Sequence, residues 1–248
     1  MRFYPFLLAS LFSLFTVLSC SPPTQDDQGN DDQDNPAQSS DPQESWDYVF
    51  DGKSLAGWRG FNAQTIPDSW KIEDGILACD ASGGAVGGDL IYATQKFGNF
   101  EWEVEWKIEE GGNSGLFYHG VEGEQYPHIY ENAPEYQLID DLGFPEPLED
   151  WQSVGADYAM YGPDGSKTVK PAGEWNSSRI VFRQEQVEHY LNGQLVVSFV
   201  PWSEDWYQRK AASKWRDNAD YGEARKGYMG LQDHGHRIWF RSIRIREI

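Results

Sequence analysis

The nine residues from Phe100 to Ile108, FEWEVEWKI, constrain the fold more than any other stretch of the sequence. Four apolar residues alternate there with four charged ones: Trp102, Val104, Trp106 and Ile108 against Glu101, Glu103, Glu105 and Lys107. Successive side chains of a strand point to opposite faces, so this period of two separates an apolar face from a charged face. The stretch predicts an antiparallel strand with one side on a core and the other in water.

Short strand patterns recur through the rest of the chain. They are predicted at residues 47–51, 70–79, 114–119, 135–140, 156–161, 175–183, 187–191, 195–199, 228–232 and 238–248. Asp74-Gly75 and Asn192-Gly193 are two-residue turns that favour positive φ and therefore mark hairpins. The last pattern changes register near Arg241-Ser242, which indicates a β-bulge.

One helix is predicted, from Ser203 to Lys214, because a hydroxyl N-cap and two acids begin it and basic residues follow. Many strands, Gly-rich turns and a single short helix predict an all-β fold, a two-sheet β-sandwich of jelly-roll type. Residues 142–171 are predicted as long loops around the strand at 156–161, and loops of this length in compact domains tend to carry function.

The N-terminal residues are predicted to lie outside this fold. Residues 1–20 have a positive start at Arg2, an apolar run and the ending VLSC, as in a secretory signal. The ending resembles a bacterial lipobox, so we expect acylation of Cys20 and a lipid-anchored protein in the cell envelope, on the periplasmic face or at the cell surface. The alternative, a membrane-spanning anchor, is disfavoured because the apolar run is short for a bilayer.

Residues 21–45 contain seven acidic residues and no basic one, and they are predicted to be a disordered acidic tether. Residues 46–248 remain as one folded domain. The net charge of −20 makes nucleic acid and anionic membrane surfaces poor partners, so membrane attachment is expected by the lipid alone. The 11 tryptophans supply core packing and flat apolar surfaces suited to sugar rings. Cys79 is the one cysteine besides Cys20, so no disulfide is expected within the domain.

The segment YENAPEYQLIDD, residues 130–141, places polar residues within a strand pattern. Alternation puts Glu135, Gln137 and Ile139 on one face and Tyr136, Leu138 and Asp140 on the other. A carboxylate and an amide two residues apart fit a polar sheet face that lines a binding site. On alternation alone, a solvated face with nothing bound is the favoured interpretation, because one-sided antiparallel sheets are common.

Five motifs in order carry a resemblance to a known family. They are FDGKSLAGWRGF, WEVEWKIEEGGNSGLFYH, YENAPEYQLID, KPAGEWNSSRIVFRQEQVEHYLNG and GYMGLQDHGHRIWFRSIRIREI. Together they resemble the 3-keto-disaccharide hydrolase domain family across nearly all of residues 46–248. The resemblance implies a concanavalin-like sandwich and a hydrolase or lyase that cleaves glycosides oxidised to a ketone at C3, by removal of the C2 hydrogen, elimination and hydration.

The resemblance also implies site residues. Glu135, His234 and Lys214 are the expected catalytic residues, with histidine suited to proton transfer near neutral pH. The expected substrate-binding residues are Gln137, Asp140, Asp157, Gln232 and Asp233. In GLQDHG, strand alternation would put Gln232 and His234 on one face and Asp233 on the other. Structural roles stay open for His234, as a hydrogen-bonded loop residue, and for Lys214, as a helix-end lysine in water.

Three further expectations stay open. His234 and His236 form an H-x-H pair that on a strand could bind a divalent metal with Glu135, whereas Gly235 between them favours a turn. The chain has DDLGFPEP and VGADYAMY where relatives often show a His-Pro and a loop similar to AGxLYDL, so substrate choice is expected to differ. The same sandwich would also suit a non-catalytic, lectin-like carbohydrate-binding module or an adhesion domain.

Overall fold

A computed structural model describes residues 45–82 and 88–248. The predictions for the signal peptide, for Cys20 and for all but the last residue of the tether concern residues outside this part of the chain. None of the helices within it is long and apolar enough to cross a membrane.

The described part of the chain is nearly all β-structure. Its strands are β1 (Asp47–Tyr48), β2 (Trp58–Gly60), β3 (Trp70–Glu73), β4 (Ile76–Cys79), β5 (Leu90–Phe97), β6 (Phe100–Ile108), β7 (Asn113–Gly120), β8 (Glu135–Ile139), β9 (Asn176–Arg183), β10 (Gln186–Leu191), β11 (Gln194–Phe199), β12 (Gly227–Leu231) and β13 (Ile238–Glu247). The α-helix α1 spans Glu204–Ala212, and short 3₁₀ turns lie at Ile129–Glu131 and Asp150–Gln152.

The strands form two antiparallel sheets. The larger sheet has the order β11-β10-β9-β6-β13-β4-β3, with β1 paired to β13, and the smaller has the order β2-β5-β12-β7-β8. One apolar cluster contains residues of both sheets, including Trp102 and Trp106 of β6, Tyr118 of β7 and Leu138 of β8. The predicted all-β sandwich is therefore confirmed.

The central strand β6 has the predicted bounds and buries its alternate apolar residues. Its charged face is less open to water than predicted, because three glutamates pair with arginines of the neighbouring β13: Glu101 with Arg246, Glu103 with Arg244 and Glu105 with Arg241. The Asp74-Gly75 and Asn192-Gly193 turns have positive φ at each residue, so the two hairpins are confirmed. The register of β13 shifts after Arg241, which confirms the bulge.

Four predicted elements were wrong in extent or type. Residues 156–161 form isolated bridges through Asp157 instead of a strand, because Ala159 at φ 63° folds the chain back within four residues. The strand predicted at 47–51 ends at Tyr48. The helix ends at Ala212, where Ser213 takes an extended conformation and caps it, so Lys214 lies beyond the helix. The strand predicted at 228–232 ends at Leu231, so alternation does not extend through residues 232–234.

The smaller sheet has apolar groups on both faces. Leu116 and Tyr118 of β7 pack into the main core, whereas Phe117 between them packs with Ile91 and Ile129 in a second, smaller cluster. On the neighbouring β8, Tyr136 and Leu138 join the main core. Glu135 and Gln137 alternate with them and so face away from it, as predicted. Ile139, predicted on the face of Glu135 and Gln137, instead packs in the main core, because the strand ends at this residue.

Candidate active site

A cavity of about 290 Å³ lies against this outer face of the smaller sheet. It is lined by Asp89, Asn113, Tyr130, Glu135, Gln137, Tyr158, Lys214, Gln232, Asp233 and His234. Six of the eight residues expected at the site line this one cavity, although they lie in three separate parts of the sequence. We refer to it below as the central cavity.

Strands β7 and β8 position Glu135 at the cavity wall. Glu135 pairs with Phe117 across the sheet, and Gln137 pairs with Gly115. Gly115 leaves room for the Glu135 carboxyl, because a Cβ there would lie 2.8 Å from both Cγ and Cδ of Glu135. A glycine in the middle of a strand is costly, and here it permits this close approach.

Glu135 is 5% exposed, and its burial raises the pKa of the carboxyl to about 8. Lys214 acts in the opposite direction through its positive charge, whereas Asp89 and Asp157 raise the pKa further. Desolvation disfavours the charged form of a carboxyl, so Glu135 is mainly protonated at neutral pH. In this state it can donate a proton.

Lys214 reaches the cavity because α1 ends before it. The residue is exposed as a whole, but its Nζ lies 4.4 Å from the ring centroids of both Tyr158 and Trp215. Lost hydration lowers the pKa of Lys214, and the nearby Glu135 carboxyl opposes this shift. A cation held by aromatic faces inside a cavity can stabilise negative charge that develops on a bound molecule.

Residues 232–234 follow the end of β12 and bend across the cavity. The Ser114 hydroxyl donates to the Gln232 carbonyl at 2.8 Å, and Gln232 N donates to the Gly115 carbonyl at 2.9 Å, which fixes the bend to β7. Because the strand has already ended, Gln232, Asp233 and His234 all line the cavity. The predicted separation of Asp233 onto the other face was therefore wrong.

His234 is exposed at the cavity, with its Nε2 3.4 Å from Nδ2 of Asn113. Desolvation lowers the pKa of His234, and the neighbouring His236 lowers it further. His234 is therefore mainly neutral at pH 7 and can accept a proton.

Asp89, just before β5, is an ionisable group at the cavity that motif comparison missed. Its Oδ1 accepts a hydrogen bond from the Asp233 backbone at 3.0 Å. Burial raises the pKa of Asp89 to about 7, and the charge of Asp233 contributes to this shift. Asn113, Tyr130 and Tyr158 were missed as well. Asn113 and Tyr130 each lie inside a family motif, so a sequence signal for them was available. Neither motif, however, identified these two residues as functional.

Asp140 and Asp157 do not line the central cavity. Asp140 accepts hydrogen bonds from the backbone of Gly111, at 2.9 Å, and of Leu142, and so holds two turns. Asp157 is buried behind the cavity, where it accepts a hydrogen bond from the Tyr118 hydroxyl at 3.2 Å. Burial raises the pKa of Asp157 to about 8. Neither residue is placed to contact a ligand in the central cavity, whereas Asp157 still influences Glu135 electrostatically.

The side chains do not form a metal site at the H-x-H pair. Gly235 has φ 79°, and the rings of His234 and His236 stack with centroids 5.7 Å apart. Among residues 45–82 and 88–248, no three His, Cys, Asp or Glu side chains are close enough together to hold a metal ion. The arrangement does not fit the hypothesis of a metal shared by His234, His236 and Glu135.

Three amide side chains of the cavity have unused hydrogen-bonding capacity. Gln137 Oε1, Gln232 Oε1 and Asn113 Oδ1 are buried and have no hydrogen-bond partner within the described residues. Buried polar atoms are normally paired, so unpartnered ones at a cavity point to a bound polar molecule or water. A molecule that carries several hydroxyl groups would satisfy this set.

Comparison with known proteins gives three results. The family model described as 3-keto-alpha-glucoside-1,2-lyase-like domain matches residues 45–246. A protein of Bacteroides thetaiotaomicron named 3-keto-disaccharide hydrolase is 36% identical over 223 residues, which cover 80% of this chain and 77% of that protein. Two crystal structures from Parabacteroides distasonis, each provisionally named a glycosyl hydrolase, are similar. One has a TM-score of 0.77 and 39% identity over 83% of this chain and 95% of its own; the other has a TM-score of 0.63 and 26% identity over 82% and 100%.

Proposed function

Because the chain belongs to the family of 3-keto-alpha-glucoside-1,2-lyase-like domains, we propose that it cleaves glycosidic bonds of sugars that carry a ketone at C3. The observation that carries the proposal is the convergence of Glu135, Lys214 and His234 on one cavity. The cavity combines a proton donor, a cation and a proton acceptor with three unpartnered amide oxygens. An ordinary solvated sheet face would need none of these.

The reaction needs three functions. The C3 ketone makes the C2 hydrogen acidic, so a base removes this proton and an enolate forms. The enolate re-forms the ketone as the C1–O bond breaks, and the departing oxygen takes a proton from an acid. Water then adds across the new C1–C2 double bond, with hydroxyl at C1 and hydrogen at C2. The net reaction is hydrolysis of the glycosidic bond.

The protonation states support an assignment of roles. Neutral His234 is the proposed base for the C2 proton, and protonated Glu135 is the proposed acid for the departing oxygen. Environments that push two pKa values apart are a common basis for such a division. Lys214 lines the same cavity and is the proposed stabiliser of the enolate, and the amides of Gln137 and Gln232 are the proposed partners of sugar hydroxyls.

The test is release of sugar by the purified protein from a 3-keto-disaccharide and from its unoxidised parent. We expect release from the ketone alone, because only the ketone makes the C2 hydrogen acidic. Absence of release from the ketone would refute the proposal, and equal release from both would indicate an ordinary glycosidase. Sugar binding without turnover, unaffected by Glu135→Gln and His234→Ala, would favour the lectin-like alternative.

A further inference from the structure

A second pocket, of about 350 Å³, adjoins the central cavity. It is lined by Trp151, Ala159, Met160, Arg209, Ala212, Ser213 and Lys214. Trp151, in the 3₁₀ turn at 150–152, is 38% exposed and lines this pocket. The residues come from the loop at 150–160 and from the end of α1. We refer to it as the outer pocket.

The two spaces share a wall. Lys214 lines both, and Tyr158 of the central cavity contacts the Trp151 ring of the outer pocket, with centroids 5.5 Å apart. Tyr158 is also tied to the proposed acid, since its backbone N–H donates to the Glu135 carbonyl at 2.9 Å. A group that leaves beside Glu135 and Lys214 is therefore next to the outer pocket.

Three polar side chains line the outer pocket: Lys214 lies at its boundary with the central cavity, whereas Arg209 and Ser213 already have partners within the protein. Arg209 donates to Asp205 at 2.9 Å and packs over the Tyr161 ring, with Cζ 4.4 Å from its centroid. The Ser213 hydroxyl donates to the Lys210 carbonyl at 3.0 Å and accepts from Trp215 N at 3.1 Å. What remains is the face of Trp151 with the apolar surface of Ala159, Met160 and Ala212. A second sugar ring would bury its hydroxyls here with few partners, which is costly.

Resting on the function proposed above, we propose that the outer pocket is the subsite for the leaving group and that it selects an apolar, aromatic aglycone over a second sugar. An aromatic ring packed on Trp151 removes apolar area from water without stranding hydroxyl groups. Lys214 forms the boundary between the sugar and the aglycone. The loop at 150–160 thus determines substrate choice.

The test compares 3-keto glucosides of one anomeric form that differ only in the aglycone. Ethyl and 2-phenylethyl aglycones leave as alcohols of similar acidity, so a difference in kcat/KM reports on contacts with the ring. We expect kcat/KM to be about tenfold higher for the 2-phenylethyl compound, as for one well-packed aromatic contact. A 3-keto-disaccharide of glucose should have a lower kcat/KM than the 2-phenylethyl compound.

Two variants locate the effect. Trp151→Ala should bring the ratio of 2-phenylethyl to ethyl kcat/KM close to one. Ala212→Gln, at an exposed position, should lower the same ratio by extending a polar side chain over the pocket. The matched control is Leu142→Ala, which removes an exposed apolar side chain from a different surface pocket and should leave the ratio as in the wild type.

A wild-type ratio near one, a preference for the disaccharide, or a ratio preserved in both variants would overturn the subsite. A wild type that cleaves no 3-keto glycoside would instead refute the proposed function. In that event, calorimetric titration with the two 3-keto glucosides decides the subsite. Tighter binding of the 2-phenylethyl compound that is lost in Trp151→Ala supports the outer pocket, whereas equal affinities overturn it.

Discussion

Replacing Glu135 by glutamine should stabilise the protein near neutral pH while it removes activity. The carboxyl has a pKa of about 8 in the folded protein, compared with 4.5 for an ordinary glutamate. Below pH 4.5 it is neutral in both the folded and the unfolded chain. Between pH 4.5 and about 8 the unfolded chain releases this proton and the folded protein keeps it, so the contribution of Glu135 to stability falls as pH rises. Glutamine does not titrate and escapes this loss.

The size of the effect follows from the shift. One pKa unit corresponds to about 1.4 kcal/mol, so the free energy of unfolding of Glu135→Gln should exceed that of the wild type by about 3 kcal/mol at pH 7. Near pH 5 the gain should be below about 1 kcal/mol. Activity should fall by about 10²- to 10⁴-fold, the usual contribution of a general acid.

Equilibrium urea unfolding at pH 5 and pH 7 measures the difference. The matched control is Glu122→Gln, because Glu122 pairs with Arg59 and this hydrogen bond lowers its pKa. A lowered pKa stabilises the fold above the unfolded pKa of 4.5, so Glu122→Gln should lose stability by a similar amount at pH 5 and pH 7, and this loss should shrink only as the pH falls below 4.5. A Glu135→Gln variant that is no more stable than the wild type at pH 7, or that gains equally at pH 5, would refute the assignment of a buried, protonated Glu135.

Three further outcomes are expected. The pH profile of kcat/KM should be bell-shaped, with an acid limb below pH 6.5 from His234 and an alkaline limb near pH 8 from Glu135. An acid limb that persists in His234→Gln would contradict the role of His234 as the base. Lys214→Met should move the alkaline limb to higher pH, because Lys214 lowers the pKa of Glu135, and Lys214→Arg should return the limb to its wild-type position. An unmoved limb in the methionine variant would show that Lys214 and Glu135 are not coupled. Gly115→Ala should lower kcat at least tenfold by displacing the Glu135 carboxyl, whereas Gly165→Ala should leave kcat unchanged, because a Cβ there meets nothing within 4 Å. Equal activities of the two variants would show that the position of the carboxyl is unimportant.

Local features of the sequence predicted the sandwich well. The alternation in β6, the turns at 74–75 and 192–193 and the bulge near residue 241 each depend on neighbouring residues and on backbone preferences that act over a few positions. Errors arose where a contact distant in sequence decides. The segment 156–161 has a strand pattern, but it folds back on itself at Ala159 and bridges to β8.

The site itself was only partly predictable. Glu135, Gln137 and residues 232–234 lie in motifs, so resemblance pointed to them without giving their arrangement. Asp89 carries no local signal, since an aspartate at a strand start is common. Asp140, in the motif YENAPEYQLID, and Asp157, in the segment VGADYAMY, have suitable chemistry, but their hydrogen bonds hold turns and the interior.

The sequence by itself determined the strand periods, the turns and the family, because these depend on residue type and short-range order. Only the tertiary structure decided that Lys214 lies across from Glu135, that Asp89 joins the cavity and that the outer pocket adjoins it. It also decided the protonation of Glu135 and His234. The physical reason is that burial and neighbouring charges set a pKa, and both are properties of residues brought together by folding.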